Sequence, residues 1–267
     1  MNASAAGATG FDIPPARRPG LDAWGQMILA EGRSVVRDTA GLVVPLGLPL
    51  LLMLAQAFGN SEQIVPDSGG RSVLEVFILP VTLVMIVALV GVVNMPSFLA
   101  MHRKEGLLRR LAATPAHPAM VLVSQVIISA LQTAAGFALA LGVVGFAFGL
   151  RGPVDLARTI GVVLLIAAAM YAVGMLVGAL VPSTNAAIAV GLLAFLLMGA
   201  AGGMFGGTDN LPQGIATVGE WLPYGAGVQV FEAAWMGQQI ETDHLLALGI
   251  AVVLGTLSAV RFFRWSQ

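Results

Sequence analysis

The chain has 267 residues, of which 57% are hydrophobic and 10% charged, with a formal net charge of −1 and no cysteine. A soluble domain carries roughly 25% charged residues, so a water-facing surface cannot be coated here and a soluble globular fold is excluded. The near-neutral charge argues against a nucleic-acid partner, and the missing cysteines exclude disulfides and thiolate metal sites.

Residues 1–20 contain Pro14, Pro15 and Pro19 and lack a compact apolar core. They do not resemble a secretory signal and are expected to form a disordered tail. Over 21–37, Leu21, Trp24, Met27, Ile28 and Val35 recur at helical spacing, with Arg33 and Arg37 on other faces. This fits an amphipathic helix in the inner headgroup region; an N-terminal extension of the first span is the alternative.

Six apolar blocks follow, at about 40–58, 74–100, 119–149, 157–181, 185–207 and 243–263. Several exceed the ~18 residues that mark a spanning helix. Hydrocarbon offers no water to backbone amides, so each block pairs its own as a helix, and the short alternating strands of a barrel are missing. The expected fold class is an all-α polytopic membrane protein with six transmembrane helices. At ~1.5 Å per residue the third block outruns ~30 Å of hydrocarbon, so it should tilt or project.

Basic residues set the expected orientation. With the N-terminus inside, Arg17, Arg18, Arg33, Arg37, Arg103, Lys104, Arg109, Arg110, Arg261 and Arg264 face the cytoplasm, leaving Arg71, Arg151 and Arg158 outside. Both termini are therefore placed in the cytoplasm. Phe262, Phe263 and Trp265 suit an inner-interface anchor for the last span.

Two connections stand out. In 101–118, residues 103–111 have helical propensity, with Leu107, Leu108 and Leu111 on one side and charges around the rest. Thr114-Pro115 and His117-Pro118 end it, because the residue before a proline is driven out of the helical region. The segment is either a handle for a soluble partner or an ordinary positive-inside loop. The second connection, 208–242, is apolar but broken by Pro212 and Pro223, and its stretch 222–236 is too short to span. It reads as a re-entrant or interfacial hairpin, with Trp221, Tyr224 and Trp235 suited to the outer headgroup zone.

Several chemistries are missing. A phosphate loop needs Lys followed by Ser or Thr, whereas the sole lysine, Lys104, precedes Glu105. No His-Glu-x-x-His or Gly-x-Ser-x-Gly occurs, and His102, His117 and His244 are too dispersed to share a metal. Within the spans, Gln56, Asn94, Gln125, Gln132 and Tyr171 serve either helix–helix hydrogen bonds or substrate contacts. Glu75 and Glu232 lie at outer positions where solvation is expected, so no buried carboxylate marks an ion-coupled carrier. Gly145 with Gly149, Gly174 with Gly178, and Gly202 with Gly206 have the spacing of close helix approach.

The string Arg103-Lys104-Glu105-Gly106-Leu107-Leu108-Arg109-Arg110-Leu111-Ala112-Ala113-Thr114-Pro115 resembles the hallmark of ABC-2 type permeases, in the version of the daunorubicin and drug-resistance exporters. Leu211-Pro212 and Leu222-Pro223 resemble the two Leu-Pro turns that precede the last span in that family. Leu107 stands where many members have Thr, and Gly206 where a proline is common.

The resemblance implies an elbow helix at 21–37, a six-span domain over 40–267, a coupling helix at 103–111 and re-entrant helices at 211–236. It implies that residues 103–111 dock on a separate ATPase subunit, with Glu105, Arg109 and Arg110 pairing with its charges. Pro212, Pro223, Tyr224 and Glu232 become candidates for the outer gate. It further implies a permease that is not itself an enzyme, with ATP and magnesium on the partner and two permease chains, identical or paralogous, around one pathway. The setting is a bacterial inner membrane, and the cargo a lipophilic drug, lipid or glycolipid leaving the cell. A membrane scaffold and an ion-coupled carrier are the competing classes; the carrier would show a charged midplane site and an internal repeat.

Overall fold

Prolines and glycines, more than apolar length, shape this helical bundle. The computed structural model describes residues 20–60, 63–66, 68–104, 119–208 and 210–262; the tail 1–19 and the segment 105–118 lie outside them. The first helix, α1 (Leu21–Arg37), stops where Asp38 turns to extended backbone. Asp38 then accepts the Gly41 amide at 3.1 Å and caps α2 (Thr39–Asn60), satisfying a helix-start donor that has no partner within the helix.

The next span, α3 (Leu74–Lys104), contains two π-helical turns, Leu74–Ile78 and Leu89–Asn94. Each lies just upstream of a proline, Pro80 or Pro96. A proline donates no amide hydrogen, and its ring crowds the carbonyl four residues back, here that of Val76 or Val92. Widening the turn lets the helix pass.

Four spans complete the bundle: α4 (Ala119–Ala147), α5 (Leu156–Leu180), α6 (Thr184–Ala201) and α9 (Thr242–Phe262). Between α6 and α9 come two short helices, α7 (Gln213–Trp221) and α8 (Pro223–Met236). Six helices are long and apolar enough to cross a bilayer. The fifth ends at Ala201, not at 207. Its apolar composition continues, but Gly203 and Gly207 take φ of 81° and 82°, a left-handed turn that glycine tolerates.

The core is built around α3. Its span window is 83% buried, against 22–44% for the other five. Both α5 and α6 touch its backbone at the second π turn. A Cβ on Gly174 would collide with the Gly91 carbonyl, and one on Gly191 with that of Val92. Gly178, on the same face as Gly174, lies against Pro96 and Leu99. The other two small-residue pairs act differently: Gly149 has φ of 73° beyond the end of α4, and Gly202 and Gly206 belong to the turn after α6.

A second proline effect ties α2 to the core. Pro45 leaves the Gly41 carbonyl without its usual helical donor. That oxygen accepts instead from Gln132 Nε2 of α4, at 2.7 Å, and from Asn94 Nδ2 of α3. Asn94 also donates to Gln132 Oε1 at 3.3 Å. Thr133 of α4 and Tyr171 of α5 share a hydroxyl–hydroxyl bond of 2.8 Å. Asn94, Gln132 and Tyr171 thus hold helices together.

Candidate functional site

The residues singled out from sequence gather at two ends of the bundle. At one, the residues after α6 fold back as the α7–α8 pair. Pro212 occupies the N-cap of α7 and Pro223 the first position of α8, where a missing amide hydrogen costs nothing. Leu222 between the helices is extended, with φ −78° and ψ 145°, as a residue before proline prefers. Each Leu-Pro pair therefore starts a helix. Gly202, Gly219 and Gly225 meet where α6, α7 and α8 converge, and a Cβ on any of them would strike backbone.

Tyr224 is fully buried, its hydroxyl donating to the Val81 carbonyl at 3.3 Å and its ring edge-on to Phe195 at 6.2 Å. Burial pushes its phenol pKa above the ordinary value. Trp235 is 3% exposed and stacks on Phe231 at 5.6 Å. Sequence reasoning put both at the headgroup zone with Trp221; of the three, Trp221 alone lies at the surface. Through its hydroxyl and ring, Tyr224 pins α8 onto α3 and α6.

Beside the hairpin lies a cavity of about 460 Å³, walled by α2, the start of α3, the glycine turn 202–208 and α8. Val73, Phe77, Ile78 and Val81 make an apolar side; Gln56, Asn60, Gln229 and Glu232 make a polar one. Among the described residues no basic side chain lines it. Glu232, expected to be solvated, is largely buried, and desolvation pushes its carboxyl up to about 7. Glu75, also expected to be solvated, is 4% exposed and accepts the Arg151 amide at 2.6 Å. Of the four hairpin residues singled out from sequence, Glu232 lines the cavity, Tyr224 anchors the hairpin and the two prolines initiate its helices. Asn60 and Gln229 were missed, because an amide in an apolar run carries no spacing signature.

At the other end, α1 lies against three spans. Val35 packs with Phe98 of α3 and Ile128 of α4, while Met27 reaches Val121 of α4 and Ala179 of α5. Glu31 Oε2 lies 3.2 Å from His102 Nε2, both buried. Arg103, in the last turn of α3, donates to the carbonyls of Gly178 and Val181, the latter at 2.7 Å. It thereby caps the C-terminal end of α5, where carbonyls lack helical donors and a cation is favoured. Lys104 ends α3. Glu105, Gly106, Leu107, Leu108, Arg109, Arg110 and Leu111 lie outside the described residues.

The family model for ABC-2 family transporter proteins matches residues 26–260, from within α1 almost to the end of α9. The chain belongs to the ABC-2 transporter family. Comparison with individual curated proteins returns no match. As an ABC-2 permease it is a multi-pass membrane subunit of an ABC transporter, of a kind that works with an ABC ATPase. The matched region contains both ends of the permease described above: the cavity with its hairpin, and the seam of α1 with α3 and α5.

Proposed function

We propose that this permease is one of two membrane subunits of an ATP-driven exporter, identical or paralogous, around a shared pathway in a bacterial inner membrane. Both termini lie in the cytoplasm, with α1 as the elbow helix at the inner surface. Residues 103–111 dock as a coupling helix on a separate ATPase, which carries ATP and magnesium. The α7–α8 pair is the re-entrant outer gate. The observation that supports this reading best is the cavity beside that hairpin, at the far end of the bundle from Lys104.

Its volume falls within the range of small-molecule sites, roughly 300–1,000 Å³. An apolar wall faced by amides and the Glu232 carboxylate suits an amphiphile, whether a lipophilic drug, a lipid or a glycolipid. Glu232 favours a cargo bearing an amine or another hydrogen-bond donor. In this mechanism ATP binding closes the ATPase pair and moves the coupling segments, which shifts the balance between two arrangements of the spans. The permease supplies no bond-making chemistry.

The test is reconstitution of the permease with its ATPase in liposomes. Reversing charge at Arg109 and Arg110 together should abolish substrate-stimulated ATPase activity and export, while membrane insertion stays normal. A variant that still assembles with the ATPase and exports normally overturns the coupling assignment.

A further inference from the structure

A shallow groove of about 360 Å³ runs between α1 and α4, on the opposite end of the bundle from the cavity. Its floor is Gly32 packed on Ile128; a Cβ at Gly32 would come within 3.3 Å of the Ile128 Cδ1 atom. The glycine thus keeps the groove open. Its sides are Leu29 and Val36 of α1 and Leu131 of α4, which are 54%, 68% and 59% exposed. Isolated exposed leucines are ordinary, but a contiguous concave set calls for an occupant.

The groove also has a charged rim. Arg33 and Arg37, one helical turn apart and both exposed, are its only ionic lining among the described residues, and no described acid lines it. The nearest acids in the chain are otherwise engaged: Glu31 is buried beside His102, and Asp38 caps α2. Neither arginine forms an ion pair among the described residues. The far wall belongs to α4, a bilayer-crossing helix, so the apolar part of the groove is a surface that meets acyl chains and is closed to a soluble peptide. Two guanidinium groups one turn apart present planar donor forks suited to phosphate oxygens.

We propose that this groove is a binding site for an anionic phospholipid, with one acyl chain lying over Gly32 between α1 and α4 and the phosphate held by Arg33 and Arg37. The two parts of the ligand match the two chemistries of the site. Charge decides between lipid classes: each arginine near a membrane surface favours an anionic headgroup by ~1 kcal/mol, whereas a zwitterionic headgroup carries its own cation to the same place.

The experiment is native mass spectrometry of the full chain released from mixed micelles holding equimolar phosphatidylglycerol and phosphatidylcholine with identical acyl chains. Retained phosphatidylglycerol should exceed phosphatidylcholine by roughly thirtyfold, the combined preference of two arginines. The double variant Arg33→Gln/Arg37→Gln should bring the ratio close to one with an unchanged melting temperature, since both side chains are exposed. Leu131→Trp, which fills the groove from α4, should reduce retention of both lipids. Equal retention in the wild type overturns the proposal, as does a phosphatidylglycerol preference that survives the double substitution. A change in oligomeric state without a change in lipid retention overturns it too, by assigning the groove to a second copy.

Discussion

His102 Nε2 lies 3.2 Å from Glu31 Oε2 in the seam between α1 and the last turn of α3, with side-chain exposures of 6% and 2%. The pair joins a surface helix to the most buried span of the bundle. Glu31→Ala removes this partner of a buried imidazole, a loss that costs about 1–3 kcal/mol. The expected result is a lower melting temperature and faster amide exchange in α1, with exchange in α5 and α9 unchanged. Unaltered exchange in α1 would show that Val35, Phe98 and Ile128 hold the seam by packing alone.

The Gly41 carbonyl offers a sharper test, because its need for side-chain donors is created by Pro45. In the wild-type background Asn94→Ala should destabilise the bundle by about 0.6–1.7 kcal/mol, from the average to the largest measured value for hydrogen bonds between membrane helices. Pro45→Ala supplies a backbone donor to the same oxygen. In that background Asn94→Ala should cost less, and a double-mutant cycle in thermal unfolding reads the difference. An additive cycle would separate the proline from the polar cluster.

What could be seen in advance follows the physics. Spans and their order were legible because apolar length is a one-dimensional property, and the ends of α2, α4, α5 and α9 fall within a few residues of expectation. The fifth span was drawn too long because Met204 and Phe205 keep the composition apolar while Gly203 reverses the backbone. Packing was less legible. A glycine pair in one helix is visible, but Gly91 and Gly174 come from different helices and become partners through tertiary contact. Burial misled as well: Glu75 and Tyr224, like Trp235 and Glu232, were expected at the outer surface, and the first two are taken inside because one specific backbone group, the Arg151 amide or the Val81 carbonyl, is there to meet each. The cavity around Glu232 draws on four separated stretches, so no single segment announces it.

Glu232 gives the site a pH dependence. Its carboxyl is raised to about 7 from an ordinary 4.5, so it is ionised above that pH and neutral below. Binding of an amine-bearing amphiphile should therefore be strong in alkaline medium and weaken as pH falls through about 7. Glu232→Gln should flatten that profile and leave a neutral analogue of the same shape unaffected, as read by fluorescence titration. For stability the sign is opposite. Burial penalises the charged form, so the folded state is favoured below 4.5 and the penalty develops between 4.5 and 7. A binding profile unchanged by Glu232→Gln removes Glu232 from the site.

The hairpin depends on close backbone contact. Gly219→Ala would drive a Cβ into the Ala201 carbonyl at the end of α6, an overpacking that costs roughly 1–3 kcal/mol. It should loosen α7 and α8, detected as proteolysis near Leu222, and leave the seam at Glu31 intact. Gly214→Ala, in the same helix but with open space around its Cβ, should be silent. Equal effects from the two would point to helix propensity rather than contact.

The hydrogen bonds from Arg103 to Gly178 and Val181 have a mechanical meaning. Because they fasten the final turn of α3 to the terminus of α5, the chain leaving Lys104 is attached to two spans rather than one. Force applied there is shared between a helix that runs through the centre of the bundle, past the cavity, and a helix that carries α9 on its flank. Arg103 thus adds a polar tie, at the point where α3 ends, to the packing of Gly178 on Pro96 and Leu99.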